Sequence, residues 1–251
     1  MAYYRRNVMP PTQFGGIVPP VIKRLLIVNG VLFVVYFLAV HLEIAPLVRL
    51  FRALSLIPSW LLLGAIWQPV TYLFLHSPFG FGHILFNSLM LWMFGADLER
   101  QWGGPRFLQF YLFCGVGAGL VDAASRIVLG ELGTATIGNS GAVYGILLAY
   151  GMLYPDRPIY FWMLFPIPAR IFVLILGVIA FLSTIGSSGS QVAHVAHLAG
   201  MAFAWVYLRR RPKFLNVDWL GSYRQWKLRR SRRRFEVYMK KRDRQGGGPV
   251  N

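Results

Sequence analysis

Within a chain dominated by apolar runs, a serine stands between glycines at Gly138-Asn139-Ser140-Gly141, a histidine opens the run His197-Leu-Ala-Gly200, and His83 precedes Asn87 by four residues. A hydroxyl and an imidazole are the pair required for nucleophilic attack on an acyl carbon. An alkyl hydroxyl is too weak an acid to attack an amide unaided, so a hydrogen-bonded base must take its proton. At i and i+4, His83 and Asn87 project from one helix face. They can donate to a developing oxyanion, with the backbone N–H of Ser140 at a helix start as a third donor. Such groups are costly in hydrocarbon, so their presence near the ends of membrane-length helices points to chemistry rather than packing.

Composition supplies the helices. With 56% hydrophobic residues, 14% charged and a mean hydropathy of +0.50 over 251 residues, the chain is expected to be an all-α polytopic membrane protein. Six stretches approach the about 20 helical residues that cross a hydrocarbon core of roughly 30 Å. They are 25–42, 83–101, 107–125, 140–154, 169–185 and 192–208. The fourth is short: about 15 residues at about 1.5 Å each span about 22 Å, so its N-terminus is expected below the outer surface. No signal peptide is evident, because Pro-rich 9–20 precedes the first apolar run and no small-residue cleavage pattern follows it. The lone Cys114 excludes an intrachain disulfide.

Charge orients the bundle. With the N-terminus in the cytoplasm, 23 Lys and Arg residues fall inside and 3 (Arg49, Arg52 and Arg126) outside; without the 15 basic residues from Arg209 onward the split is 8 to 3. Both termini are therefore expected to be cytoplasmic, and the +17 net charge needs no nucleic acid to explain it. The second, fourth and sixth segments then all start at the outer side, which puts His83, Asn87, Ser140 and His197 at one depth, as a shared site requires. Small residues at Gly141 and Gly145 on the fourth segment, and at Ala196, Gly200 and Ala204 on the sixth, let the two backbones approach. That approach brings Ser140 within reach of His197.

These motifs resemble those of the rhomboid intramembrane serine proteases. Gly138-x-Ser140-Gly141 with Tyr144 one turn later resembles the family's nucleophile motif, His197-x-x-Gly200 its histidine motif on the sixth helix, and His83-Ile-Leu-Phe-Asn87 its His-x-x-x-Asn motif on the second. The resemblance covers roughly 67–208 and includes the order and spacing of the motifs. It implies a six-helix rhomboid-like bundle of the bacterial type, with no metal or cofactor, embedded as a multi-pass protein of the cytoplasmic (inner) membrane. It also implies an endopeptidase acting through a Ser140–His197 dyad and an acyl-enzyme, on single-span or polytopic membrane-protein substrates with a small residue before the cut and a locally unstable helix. The domain reading is a cytoplasmic segment 1–24, a membrane domain 25–208 with an interfacial loop at 43–81, and a basic cytoplasmic tail 209–251.

Other polar residues receive supporting or structural readings. The absence of Asp and Glu from the sixth segment argues for a dyad rather than a triad. Asp122, the one carboxylate able to contest this, reads as a solvated or packing residue. In the family, an aromatic ring at the position of Tyr144 packs on the catalytic imidazole. The x-x-Gly spacing favours His197 over His194 as base; His194 then lines the cavity, assists the oxyanion or simply packs. His76 reads as structural. Glu99-x-x-x-Gly103 resembles another rhomboid motif, with Glu99 expected to satisfy backbone donors of the following turn. At 67–68 the chain has Trp67-Gln68 where rhomboids often carry Trp-Arg, which removes the arginine from any ionic contact holding that loop. The Ser- and Gly-rich loop 181–191 is expected to be mobile, and the family suggests gating by the fifth helix.

The tail interleaves its basic residues with Trp219, Tyr223, Trp226, Phe235 and Tyr238. It reads as an amphipathic helix on an anionic leaflet, with nucleic acid as the runner-up partner and a solvated topology anchor as the plain alternative. Two functional classes compete with a protease. A silent relative that binds or chaperones membrane helices would be expected to lack the Ser or His, and a transporter would want mid-membrane charges and an internal repeat.

Overall fold

The computed structural model describes residues 18–161, 165–186 and 194–210, without the side chains of 161, 165 and 183–186. The tail beyond Arg210, residues 187–191 of the loop 181–191 expected to be mobile, and the first two residues of the sixth segment lie outside the described residues.

The first segment is α1 (Pro20–His41), with Pro20 at its first position, where a missing N–H costs nothing. Its next two donors find a partner far away in sequence: the Glu99 carboxylate accepts Val21 N at 2.9 Å and Ile22 N at 2.8 Å. Glu99 thus satisfies backbone donors, as expected, but those of the first helix rather than those of the turn that follows it.

The connection 43–81 folds into α2 (Ala45–Leu54), α3 (Pro58–Leu62) and α4 (Gln68–Thr71), followed by a 3₁₀ turn at Tyr72–Phe74. Leu62, Leu63 and Ile66 stay exposed. In place of an ion pair, neutral hydrogen bonds hold the lobe. Fully buried Gln68 accepts Ile57 N at 3.0 Å and donates to Ala53 O at 3.2 Å, Trp67 Nε1 donates to the same carbonyl, and Thr71 Oγ1 donates to Leu54 O at 2.7 Å.

The second segment runs as α5 (Phe81–Met90), a π turn (Leu91–Gly95) and α6 (Ala96–Trp102), ending at Gly103 with φ of 80°. A π turn takes an extra residue and so re-aims the helix below it. Then follow α7 (Gly104–Val128), α8 (Ser140–Leu153), a hairpin of β1 (Pro158–Phe161) and β2 (Phe165–Pro168), α9 (Ala169–Gly186) and α10 (His194–Arg210). The antiparallel hairpin was not foreseen, and α9 continues through the first residues of the expected mobile loop. Among the described residues, Pro20–His41 and Gly104–Val128 are long and apolar enough to cross a membrane, and Ser140–Leu153 and Ala169–Leu182 are shorter apolar helices.

Helix α7 is the platform for α8 and α10. Side chains on Gly115, Gly117 and Gly119 would come within 2.6 Å of Leu73, 2.6 Å of the Phe203 ring and 2.7 Å of the Tyr72 ring respectively, nearer than packed carbons approach. The Tyr72 hydroxyl donates to Gly115 O at 2.6 Å. In its last two turns α7 carries Asp122, which is buried and ion-paired rather than solvated: Arg126 Nε lies 3.0 Å away, and the Thr136 hydroxyl donates to the same oxygen at 2.6 Å.

Glu99→Gln exchanges one acceptor for an N–H donor at the start of α1. It is expected to lower stability by about 1.5–3 kcal/mol, the range for a hydrogen bond to a charged group, read as a lower thermal-unfolding midpoint in detergent; an unchanged midpoint would show that this contact does not hold the first helix.

Candidate active site

Ser140 is the first residue of α8, and the backbone leading into it is held on both sides. Leu56 and Thr136 form an antiparallel bridge, with Leu56 N to Thr136 O at 3.0 Å and Thr136 N to Leu56 O at 2.8 Å. Gly138 N donates to Tyr72 O at 2.9 Å. Gly138 has φ of 114°, a conformation suited to glycine, and a Cβ there would also come within 2.7 Å of His83 Cε1. The lobe between the first two segments therefore fixes the approach to the serine.

Histidine 197 arrives from α10. Its Nε2 lies 2.9 Å from Ser140 Oγ, a hydrogen-bonding distance. Glycines permit this approach: a Cβ on Gly200 would strike the Gly141 carbonyl, one on Gly145 would lie 3.1 Å from Gly200 O and 2.9 Å from Cys114 Cβ, and one on Gly141 would lie 2.5 Å from Ala118 Cβ. The ladder expected from Gly141, Gly145, Ala196 and Gly200 is thus the contact itself. Tyr144, one turn below Ser140, stacks on the His197 ring at a centroid distance of 4.1 Å and an interplanar angle of 4°. The His194 ring stands edge-on to His197 at 6.0 Å.

The expected donors come from α5. The His83 ring lies against Gly138, and Asn87, 2% exposed, keeps its Nδ2 buried without a hydrogen-bond partner. An orphaned buried donor costs about 1–3 kcal/mol, so a group that is filled only when an oxygen arrives is a natural reading. Asp122 does not reach into this arrangement; its hydrogen bonds go to Arg126 and Thr136.

One pair escaped the sequence reading. His76 Nε2 lies 3.3 Å from Asn139 Oδ1, both residues are buried, and the His76 ring is 5.4 Å from that of His83. Neither periodicity nor motif spacing links residues 76 and 139; the clue was a polar residue at the start of α8 and a histidine just ahead of α5.

The arrangement brings together a serine hydroxyl, an imidazole hydrogen-bonded to it, a tyrosine ring stacked on that imidazole, and the His83 ring and Asn87 amide nearby, which are the kinds of group that acyl transfer uses. Comparison with known proteins agrees with the motifs. The Rhomboid domain family model matches residues 63–211. The putative rhomboid protease YdcA of Bacillus subtilis is 36% identical over 87 residues, covering 35% of this chain and 41% of that protein. The rhomboid protease GluP of the same organism is 37% identical over 84 residues, 34% of this chain and 15% of that protein. The mitochondrial rhomboid protein 1 of Saccharomyces cerevisiae is 29% identical over 105 residues, 40% of this chain and 29% of that protein. The matched stretches thus span less than half of each relative, while the family model spans more than half of this chain, and on that match the chain belongs to the rhomboid family.

Proposed function

We propose that the chain is an intramembrane serine endopeptidase that cleaves transmembrane segments of single-span or polytopic membrane proteins through an acyl-enzyme on Ser140. The observation that carries this reading is the 2.9 Å separation of His197 Nε2 and Ser140 Oγ. Neutral His197, with its Nε2 lone pair toward the hydroxyl, takes the Oγ proton as Oγ attacks the scissile carbonyl carbon. The tetrahedral oxyanion is met by Asn87 Nδ2, His83 and the Ser140 N–H. The imidazolium then returns its proton to the leaving amide nitrogen, and a water deprotonated by the same ring releases the acyl group as a carboxylic acid. Gly138 and Gly141 keep the serine accessible, Gly200 lets α10 approach, Tyr144 holds the imidazole plane, and His194 borders it. A scissile carbonyl inside a regular helix is hydrogen-bonded and shielded, so a substrate helix that unwinds locally is preferred.

The membrane arrangement that goes with this chemistry has six crossings and both termini in the cytoplasm, supported by the 23 to 3 distribution of basic residues. The two Bacillus relatives support a bacterial cytoplasmic membrane. The basic tail then faces an anionic leaflet, each Lys or Arg near it contributing about 1 kcal/mol of attraction.

Detergent-solubilised protein treated with a fluorophosphonate probe is expected to label at Ser140 and to cleave a model transmembrane substrate. Ser140→Ala and His197→Ala should each lose labelling and reduce cleavage by a factor on the order of 10⁶. Wild type that binds the substrate but neither labels nor cleaves it would point instead to a silent helix-binding relative. Tyr144→Phe keeps the ring and is expected to stay within about 3-fold of wild type, whereas Tyr144→Ala frees the imidazole and should reduce kcat about 10- to 100-fold, the scale set by small misplacements. Equal activity in the two Tyr144 variants would count against the orienting role.

A further inference from the structure

Three consecutive residues at the start of α8 each meet a different histidine. Gly138 lies against the His83 ring, the Asn139 side chain is hydrogen-bonded to His76, and Ser140 to His197. The first and third contacts have roles in the reaction proposed above; the second does not. From it we propose that His76 and Asn139 form a positioning pair, holding the Ser140 N–H and the His83 ring in register for an oxyanion. The proposal rests on Ser140 being the nucleophile.

Stability does not account for the pair. His76 is 1% exposed and Asn139 is fully buried, and burying two such groups is costly unless they are well paired. Their bond is long at 3.3 Å. His76 Nδ1 is buried without a partner, and the other end of the Asn139 amide, Nδ2, lies beside the Tyr111 hydroxyl without a well-formed hydrogen bond. Two apolar side chains of similar volume would fill this space at lower cost. What they would not do is fix an orientation.

The chemistry of the contact does fix one. Burial first, and then the neighbouring His83, push the His76 pKa down to about 4, so its ring is neutral at physiological pH and carries one N–H. Asn139 Oδ1 only accepts, which puts that hydrogen on Nε2 and leaves Nδ1 bare. The ring is thereby locked between the start of α8 and His83, 5.4 Å away at an interplanar angle of 56°. Asn139 is the residue at the head of α8, and its carbonyl accepts Val143 N at 3.0 Å. Its side chain, anchored on His76, branches from the Cα that precedes the 139–140 peptide presenting the Ser140 N–H. Main-chain bonds from Leu56 and Tyr72 hold residues 136 and 138; the His76 contact extends that grip by one residue.

The test compares wild type, His76→Leu, His76→Gln and Asn139→Leu on a model transmembrane substrate, with rates normalised to the Ser140 sites that a fluorophosphonate finally labels, so that only folded enzyme is counted. His76→Leu and Asn139→Leu are expected to lower kcat about 10- to 100-fold, with KM within about 2-fold, and to slow labelling in step. His76→Gln places an amide N–H near the same acceptor and should recover kcat to within about 5-fold of wild type. Unchanged kcat per labelled site in His76→Leu would overturn the proposal, as would a His76→Gln no better than His76→Leu. Wild type that neither labels nor cleaves would defeat the serine-protease reading itself and the pair with it, an outcome distinct from active variants beside an active wild type.

Discussion

The contact that the site depends on is the close approach of α8 and α10, backbone against backbone. Gly200 faces the Gly141 carbonyl, Gly145 faces Gly200 O, and no side chain fits between them. In a membrane there is no hydrophobic gain from bringing two apolar helices together, so packing and hydrogen bonding must supply the association. Here the seam that gives the best packing also carries Ser140 on one side and His197 on the other. The stacking of Tyr144 on the His197 ring belongs to the same seam. Association and alignment of the polar pair are therefore one event, and any residue larger than glycine at position 200 would disturb both.

A second constraint acts at the start of α8. The residues leading into α8 are not in a helix, and a free loop there would blur the position of the serine. The lobe at 43–81 prevents this through Leu56 and Tyr72, which hydrogen-bond the main chain at Thr136 and Gly138. The lobe is itself closed by Gln68 and Thr71, and Asp122 ties Thr136 to the end of α7. A loop that looks merely interfacial in composition thus serves as the wall that sets the place of Ser140. The contacts of neutral Gln68 hold this lobe without an arginine at position 68.

The elements that were legible from residue types are those with short-range signals. Apolar runs marked the long helices, small residues marked the α8–α10 seam, and the i to i+4 spacing put His83 and Asn87 on one face. Contacts between distant residues that carry no such marker were not legible. The donors that Glu99 satisfies lie 77 and 78 residues away, and local reasoning assigned it to its own turn. For Asp122, expected to be solvated or packing, the Arg126 pair is local at i+4 on α7, but the Thr136 contact that completes its burial forms only in three dimensions. The helices within 43–81 were hidden by their shortness, and the π turn at Leu91–Gly95 leaves no mark in a 3.6-residue pattern. The hairpin at 158–168 was obscured by its prolines, three of which lie in β1 and β2. The His76–Asn139 contact leaves no local signal, because a turn separates His76 from α5 and Asn139 sits inside a glycine motif.

The proposed acyl transfer depends most directly on where an oxygen sits once Ser140 carries an acyl group. An experimental structure of the protein inhibited by a phosphonate, a mimic of the tetrahedral intermediate, measures this. The predicted result is a bond from Ser140 Oγ to phosphorus, with the phosphonyl oxygen about 2.7–3.1 Å from Asn87 Nδ2 and from the Ser140 N–H. An adduct whose oxygen turns away from α5, or a bond formed at another residue, would contradict it.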